Sequence, residues 1–209
     1  MTRVVAEPEE VLAFWFPPGH DADLETHSRQ FEWWFDGGAD DDILARFVPT
    51  LEAAIDGRLE SWTEAPRSRL ALIVVLDQFS RSVYRGSARA YAQDPKACRL
   101  AVDGIDGGFY DRLSAVWEKL FFSLPLSHSE ELALHERNVA LGAALVEQAP
   151  ADLRPLYEFS AEQARGHRDV VARFGRHPHR NALLGRVSTP AEQAFIEAGD
   201  FVHRRLFKG

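Results

Sequence analysis

The stretch Ser61-Trp62-Thr63-Glu64-Ala65-Pro66-Arg67-Ser68-Arg69-Leu70-Ala71-Leu72-Ile73-Val74-Val75-Leu76-Asp77-Gln78-Phe79-Ser80-Arg81 decides the fold. Ser61 and Glu64 stand at capping-box spacing, and Pro66 suits a first helical turn, where its missing N–H costs no hydrogen bond. Leu70 to Leu76 is apolar on nearly every side, so a helix here has no face to give to water and belongs at the centre of the molecule. Asp77 and Arg81 follow at once, an i, i+4 pair of opposite charge drawn toward that core. An unpaired charge there is costly, so a salt-bridge network or a ligand is expected around them.

Helices extend outward from this segment in both directions. Toward the N-terminus, Glu9 to Phe16 reads as a short apolar helix stopped by Pro17-Pro18-Gly19, and Phe31-Glu32-Trp33-Trp34-Phe35 as an aromatic plug ended by Gly37-Gly38. From the acidic cap at Asp40 to Asp42, the residues Ile43, Leu44, Phe47, Val48, Leu51 and Ile55 keep helical spacing to Gly57, with a kink expected at Pro49. Toward the C-terminus, Asp94-Pro95 starts a helix that Gly104, Gly107 and Gly108 end, and Ser114 opens one that stops near Pro125. Ser127 and Glu130 make a second capping box, for a helix to Gln148; Pro155 begins the next, which reaches Phe174-Gly175. Thr189, Pro190 and Glu192 start the last. There is no alternating run to build a sheet, no repeat, no low-complexity segment and no linker, so one all-α domain over residues 1–209 is expected.

Composition narrows the function classes. With 45% hydrophobic and 27% charged residues the chain has ordinary globular character. Cys98 is the one cysteine, which excludes an intramolecular disulfide and any multi-cysteine metal site and suits a reducing cytoplasm. Glu7, Glu9 and Glu10 interrupt the place where a signal peptide needs an apolar run, and no later run spans a bilayer, so neither export nor membrane insertion is expected. A net charge of -8 argues against nucleic acid as a partner. The Gly-rich phosphate loop, the dinucleotide fingerprint, the nucleophile elbow and the His-Glu-x-x-His zinc helix are all missing, so no cofactor is implied and no reaction is named.

Polar residues gather in three places. Arg165 to Arg186 holds Arg165, Arg168, Arg173, Arg176, Arg180 and Arg186 with His167, His177 and His179, against the single carboxylate of Asp169. Guanidinium groups bind carboxylates and phosphates through paired hydrogen bonds, so either an anionic ligand or an acidic neighbouring helix satisfies this segment. His167 turns toward the apolar face of its helix, where a hydrogen-bonded core histidine is the competing reading. His177-Pro178-His179-Arg180-Asn181 follows the stop at Gly175 and lies on a turn, where side chains converge on pockets. His128, Glu131 and His135, at i, i+3 and i+7, suit one helical face and are the metal-ligand candidates; helix capping and surface pairing are the competing reading. Asp77, Gln78, Arg81, Tyr84, Arg85 and Arg89 form the third group, with Gly86 set against a continuous arginine stripe.

Leu76-Asp77-Gln78-Phe79-Ser80-Arg81, Leu124-Pro125-Leu126-Ser127-His128-Ser129-Glu130 and His167-Arg168-Asp169 through Phe174-Gly175-Arg176-His177-Pro178-His179-Arg180-Asn181, behind a leading Phe14-Trp15-Phe16, together resemble the bacterial family catalogued as domain of unknown function 924. The resemblance covers nearly the whole chain. It implies a compact multi-helix domain of tetratricopeptide-like helical type and no activity, and the family pattern usually has Pro at the place of Ser80 and an aromatic at that of His177. Because the family motifs coincide with the polar clusters, the expectation is one pocket between helices for a small anionic molecule. Arg81, Arg85, Arg176 and Arg180 would contact a carboxylate or phosphate; Asp77 and Asn181 would support them, and His128, His167 and His179 would donate hydrogen bonds or move a proton. A metal-dependent enzyme using His128, Glu131 and His135 is the first alternative, and a protein-interaction scaffold knitted by structural arginines, its partner unnamed, is the second.

Overall fold

Pro66 sits in the first turn of the helix expected from the central stretch, and every residue from Leu70 to Leu76 is at most 2% exposed. A computed structural model describes residues 4–199, 201–202 and 207. In chain order its helices are α1 (Pro8–Trp15), α2 (Leu24–Phe35), α3 (Asp40–Arg46), α4 (Val48–Ile55), α5 (Pro66–Val74), α6 (Ser80–Val83), α7 (Asp94–Asp106), α8 (Val116–Ser123), α9 (Leu132–Gln148), α10 (Arg154–Phe174) and α11 (Pro190–Ala198). Among the described residues there is no strand, and the fold is all-α. No helix among them is long and apolar enough to cross a membrane.

Helix α5 packs against α1, α7 and α8, as its all-round apolarity requires. The aromatic residues of α1 and α2 close one side of the core. Trp15 meets Phe79, Phe121 and Trp34 at ring-centroid distances of 5.6, 5.7 and 6.4 Å, and the Trp34 indole donates to the Trp15 carbonyl at 2.7 Å. Burying each such side chain stabilises the fold by about 1.5–3 kcal/mol. The long helices α9 and α10 are joined by a short loop and fold back on each other as the largest helix pair. Gly175, at φ 68°, ends α10 in the left-handed conformation that a Cβ disfavours, and so turns the chain into the His177–Asn181 segment.

Several boundaries differ from those expected. The run from Asp40 to Ile55 is two helices instead of one kinked helix, because Pro49 occupies the first turn of α4 and the chain restarts at Phe47. Ser61 caps nothing: Glu60–Glu64 is a tight 3-10 turn, and α5 begins at Pro66 without a side-chain cap. The helix assigned to Ser114 starts at Val116, where the Glu118 carboxylate accepts from the Ala115 N–H at 3.3 Å. The Ser127–Glu130 box is also absent. Leu124–His128 forms a 3-10 turn and α9 starts at Leu132, with the Glu131 N–H donating to Ser129 Oγ at 3.0 Å. The Thr189 box of α11 is as expected, with the two bonds at 3.3 and 2.7 Å.

One element has no counterpart in the sequence reading. Val75–Phe79 forms a π-helical turn between α5 and α6. A π turn carries an extra residue and rotates the side chains that follow it, and such turns occur frequently at functional sites. This one carries Asp77 and Gln78, both buried.

Candidate functional site

The rotated turn directs Asp77 at the 3-10 turn between α8 and α9. Its Oδ1 accepts from His128 Nδ1 at 2.7 Å and its Oδ2 from Gln78 Nε2 at 2.5 Å. Arg81, one turn on, donates to the Asp77 carbonyl and stands 3.5 Å from its carboxylate. The Nη1 that makes these contacts, together with Nη2, also meets Asp94, at the start of α7, through two bonds of 3.1 and 3.2 Å. Asp94 is shared: Arg180 Nη1 donates to its Oδ2 at 3.1 Å and to the His128 carbonyl at 3.0 Å. Tyr91 lies beneath both guanidinium groups, 5.9 Å from Arg81 and 4.7 Å from Arg180. Asp94 thus ties the α5–α6 junction to the turn after α10, and His128 links that hub to the turn before α9.

Burial and charge act in opposite directions on these groups. Burial pushes the Asp77 carboxyl up, but Arg81 and His128 outweigh it and hold the carboxylate well below its ordinary range. Burial likewise opposes the charge on Arg81, and Asp77 and Asp94 overcome it. For His128, burial and then Arg81 lower the imidazole against the pull of Asp77, so the ring is neutral at neutral pH. An ionised Asp77 only accepts, so Nδ1 carries the His128 proton and Nε2 keeps its lone pair. Arg180 is 6% exposed; burial lowers its pKa against Asp94, and its Nε–H has no partner among the described residues.

The arginines and His128 of this network line a cleft of about 650 Å³, whose walls include Gln78, Arg81, Arg85, His128, His167, His179 and Arg180. Six of the residues selected from sequence, Arg81, Arg85, His128, His167, His179 and Arg180, therefore meet there, and Asp77 stands behind them. Arg85 pairs with Asp40 at 2.5 Å on the rim. No arginine stripe forms, because α6 ends at Val83 and Gly86 takes φ 76°.

Arg176 and Asn181 are placed elsewhere. Arg176 donates two hydrogen bonds to the Glu192 carboxylate at 2.5 and 2.7 Å and one to the Val187 carbonyl at 2.9 Å, so it fastens α11. Asn181 is 1% exposed and donates to Ser188 Oγ at 3.0 Å. Intramolecular pairing accounts for two more arginines: Arg186 meets both oxygens of Glu130, and Arg168 meets Glu136 and Asp169. The metal reading needs correction. His128, Glu131 and His135 do not share one helical face, because extended backbone at Glu131 separates His128 from α9. His128 Nδ1 is tied to Asp77 and His135 Nε2 to the Ser129 carbonyl at 2.8 Å. No group of three or more metal-binding side chains suited to an ion occurs among the described residues.

Sequence reasoning missed Asp94 and Tyr91 as site residues. Asp94 precedes a proline, which reads as a helix start and is one; its second role depends on two arginines distant in sequence. His177 is also more deeply placed than a turn residue suggests. It is 1% exposed, donates from Nε2 to the Ser129 carbonyl at 3.0 Å, and has ring neighbours His135, His167 and His179 at 5.6, 5.9 and 5.5 Å. Burial, followed by Arg180 and the surrounding histidines, pushes its pKa far below the ordinary value, so it is neutral.

A family model described as bacterial protein of unknown function (DUF924) matches residues 11–200. A solved structure of a protein of unknown function from Agrobacterium tumefaciens is similar, with 36% sequence identity and a TM-score of 0.74 over 92% of this chain and 97% of that one. Nothing among curated proteins matches.

Proposed function

The chain belongs to the DUF924 family of bacterial proteins of unknown function, so its activity has to be read from the cleft, and we propose that the cleft binds a small organic anion. The observation that carries this reading is the convergence of Arg81, Arg85, His128, His167, His179 and Arg180, from separate segments, on one space of about 650 Å³. Asp77 and Asp94 neutralise Arg81 and Arg180, and Asp40 neutralises Arg85, so the cleft is no broad positive funnel. Its attraction is directional instead. The carboxylates fix the guanidinium planes, and a carboxylate or phosphate is held by N–H groups already oriented for it.

The melting temperature of tag-free protein across carboxylates and phosphates tests this. A ligand at ~100 times its Kd stabilises by about 2.7 kcal/mol. For a chain of this size that is a rise of roughly 5–11 °C. Arg81→Lys keeps a charge beside Asp94 but loses the planar fork, and His179→Ala removes a ring from the wall; both are expected to fold and to lose the shift. A panel with no shift, or a shift unchanged in both variants, removes the reading.

A second reading has its own observation. With Nδ1 held by Asp77, the neutral His128 ring, itself on a cleft wall, keeps an unprotonated Nε2, the arrangement by which a carboxylate orients a general base. On this reading the bound anion gives up a proton to His128. Solvent exchange of a C–H of the bound ligand, present in the wild type and lost in His128→Gln while binding remains, is its test; exchange that persists in the variant sinks it.

A further inference from the structure

A second hollow, of about 150 Å³, abuts the cleft between α8, α9 and α10. Phe31, Phe35, His128, Phe159 and His167 border both spaces, so the two meet at the His128 and His167 rings. Beyond that junction the lining is mainly apolar, with Leu120, Leu124 and Leu145 and the small residues Gly142, Ala161 and Ala164, and with serine, asparagine and glutamine side chains also on its walls. Helices α9 and α10 come close at Gly142, where an added Cβ would lie 3.6 Å from the Ala161 backbone, an ordinary contact. Larger side chains at Ala161 or Ala164 would occupy the space. A hollow kept open by small side chains beside a polar cleft has room for an occupant. An apolar cavity of about this size accepts a molecule as large as benzene.

We propose that the ligand is an amphiphilic anion, with a carboxylate or phosphate head among Arg81, Arg180 and His179 and an apolar body of roughly six carbons in the hollow beyond His128 and His167. The proposal rests on the anion reading above and adds the chemistry of the ligand's other end. His128, its ring held by Asp77 and bordering both spaces, then stands at the joint between head and body.

Calorimetric titration with acetate, butyrate, hexanoate, octanoate and decanoate tests it, with hexanol and inorganic phosphate alongside. Affinity is expected to rise by about fourfold per methylene until the hollow is full near six carbons, and then to level off. Ala164→Leu fills the hollow, and should abolish the gain from butyrate to hexanoate while leaving acetate binding unchanged. Leu120→Ala enlarges it, and should move the plateau to longer chains; this variant keeps the test valid if Ala164→Leu does not fold. Acetate or phosphate binding with no dependence on chain length overturns the amphiphile and leaves the anion reading standing. Binding of hexanol as tight as hexanoate overturns the charged head, and with it both proposals. A plateau that neither variant moves places the apolar body elsewhere and overturns the inference.

Discussion

Two arginine–carboxylate assemblies order the chain after α10, one fastening α11 and the other tying the turn after α10 to α6 and α7, and they differ in what they leave over. Arg176 and Glu192 form a closed unit: the carboxylate also accepts the Thr189 N–H at 2.7 Å, and the guanidinium also reaches the Val187 carbonyl. Asp94 forms an open one. It holds Arg81 and Arg180 by their Nη groups, leaves the Arg180 Nε–H without a partner among the described residues, and faces both arginines onto a cleft. The same residue types, abundant in one stretch of sequence, thus serve fastening in one place and presentation in the other. The difference lies in burial and placement: the Arg180 side chain is 7% exposed with its Nε–H unpartnered among the described residues at a cleft wall, whereas that of Arg176 is 27% exposed and lines no part of that cleft.

The sharpest way to break the open assembly is Asp94→Ala. It leaves Arg81 and Arg180 without their shared carboxylate, and removing one partner from a buried ion pair typically costs about 3–5 kcal/mol. Urea unfolding measures this directly. A loss below about 1 kcal/mol would mean that the hub is solvated like a surface pair and contributes little to holding the turn after α10.

Acid separates the neutral histidines around the hub from its carboxylates. His177, His135 and His128 are all lowered by burial and are neutral in the fold. An unfolded histidine takes up a proton near pH ~6.5, so each folded one opposes protonation, and stability falls as pH drops below that value toward its depressed folded pKa. The slope is at most about 1.4 kcal/mol per pH unit for each ring. Asp77 acts in the same direction in a lower window: its lowered pKa supplies stability that is present above ~4 and is lost as pH falls further. Arg180, His167, His179 and His135 face His177, and Glu130 is engaged by the His177 backbone N–H. His177→Phe should therefore flatten the stability profile between pH ~7 and ~5 by up to the contribution of one ring. An unchanged slope would mean that His177 takes up a proton in the fold as readily as in the unfolded chain.

The closed assembly is expected to respond more weakly and without consequence for ligands. Thr189→Ala removes the cap of α11, a loss of about 1 kcal/mol. Any thermal shift given by an organic anion should persist in this variant at full size. Its disappearance would join the two assemblies into one functional unit and remove the contrast drawn between them.

How much of this was legible depends on the distance between partners. Pro66 at the head of α5, the left-handed stop at Gly175 and the Thr189 box are local rules, and the sequence stated them correctly. Leu70 to Leu76 required only counting apolar residues. Asp77 and Arg81 were legible as a pair drawn into the core, since i, i+4 spacing is local too. Glu130 was misread as a helix cap because its partners, the His177 N–H and Arg186, lie 47 and 56 residues away. Asp94 was passed over for the same reason, its arginines standing 13 and 86 residues off. The π turn at Val75–Phe79 has no compositional signal, since a one-residue expansion of a buried apolar helix is set by packing on all sides.

The smallest expected effect lies at Arg85, which sits on the rim of the open assembly and is more exposed than the arginines of either. Its side chain is 63% exposed, and it meets Asp40 at 2.5 Å. An exposed pair of this kind contributes about 0–1 kcal/mol, because water screens the attraction and ordering two side chains costs entropy. Arg85→Ala should therefore leave unfolding nearly unchanged, while freeing the Asp40 carboxylate beside the cleft mouth. If Arg85 serves mainly to neutralise that carboxylate, the variant weakens anion binding at low salt, and added salt narrows the gap to the wild type, since screening acts on exposed charges first. If Arg85 instead contacts the ligand directly, the deficit persists at high salt, and the presenting surface extends from the Asp94 hub out to the rim.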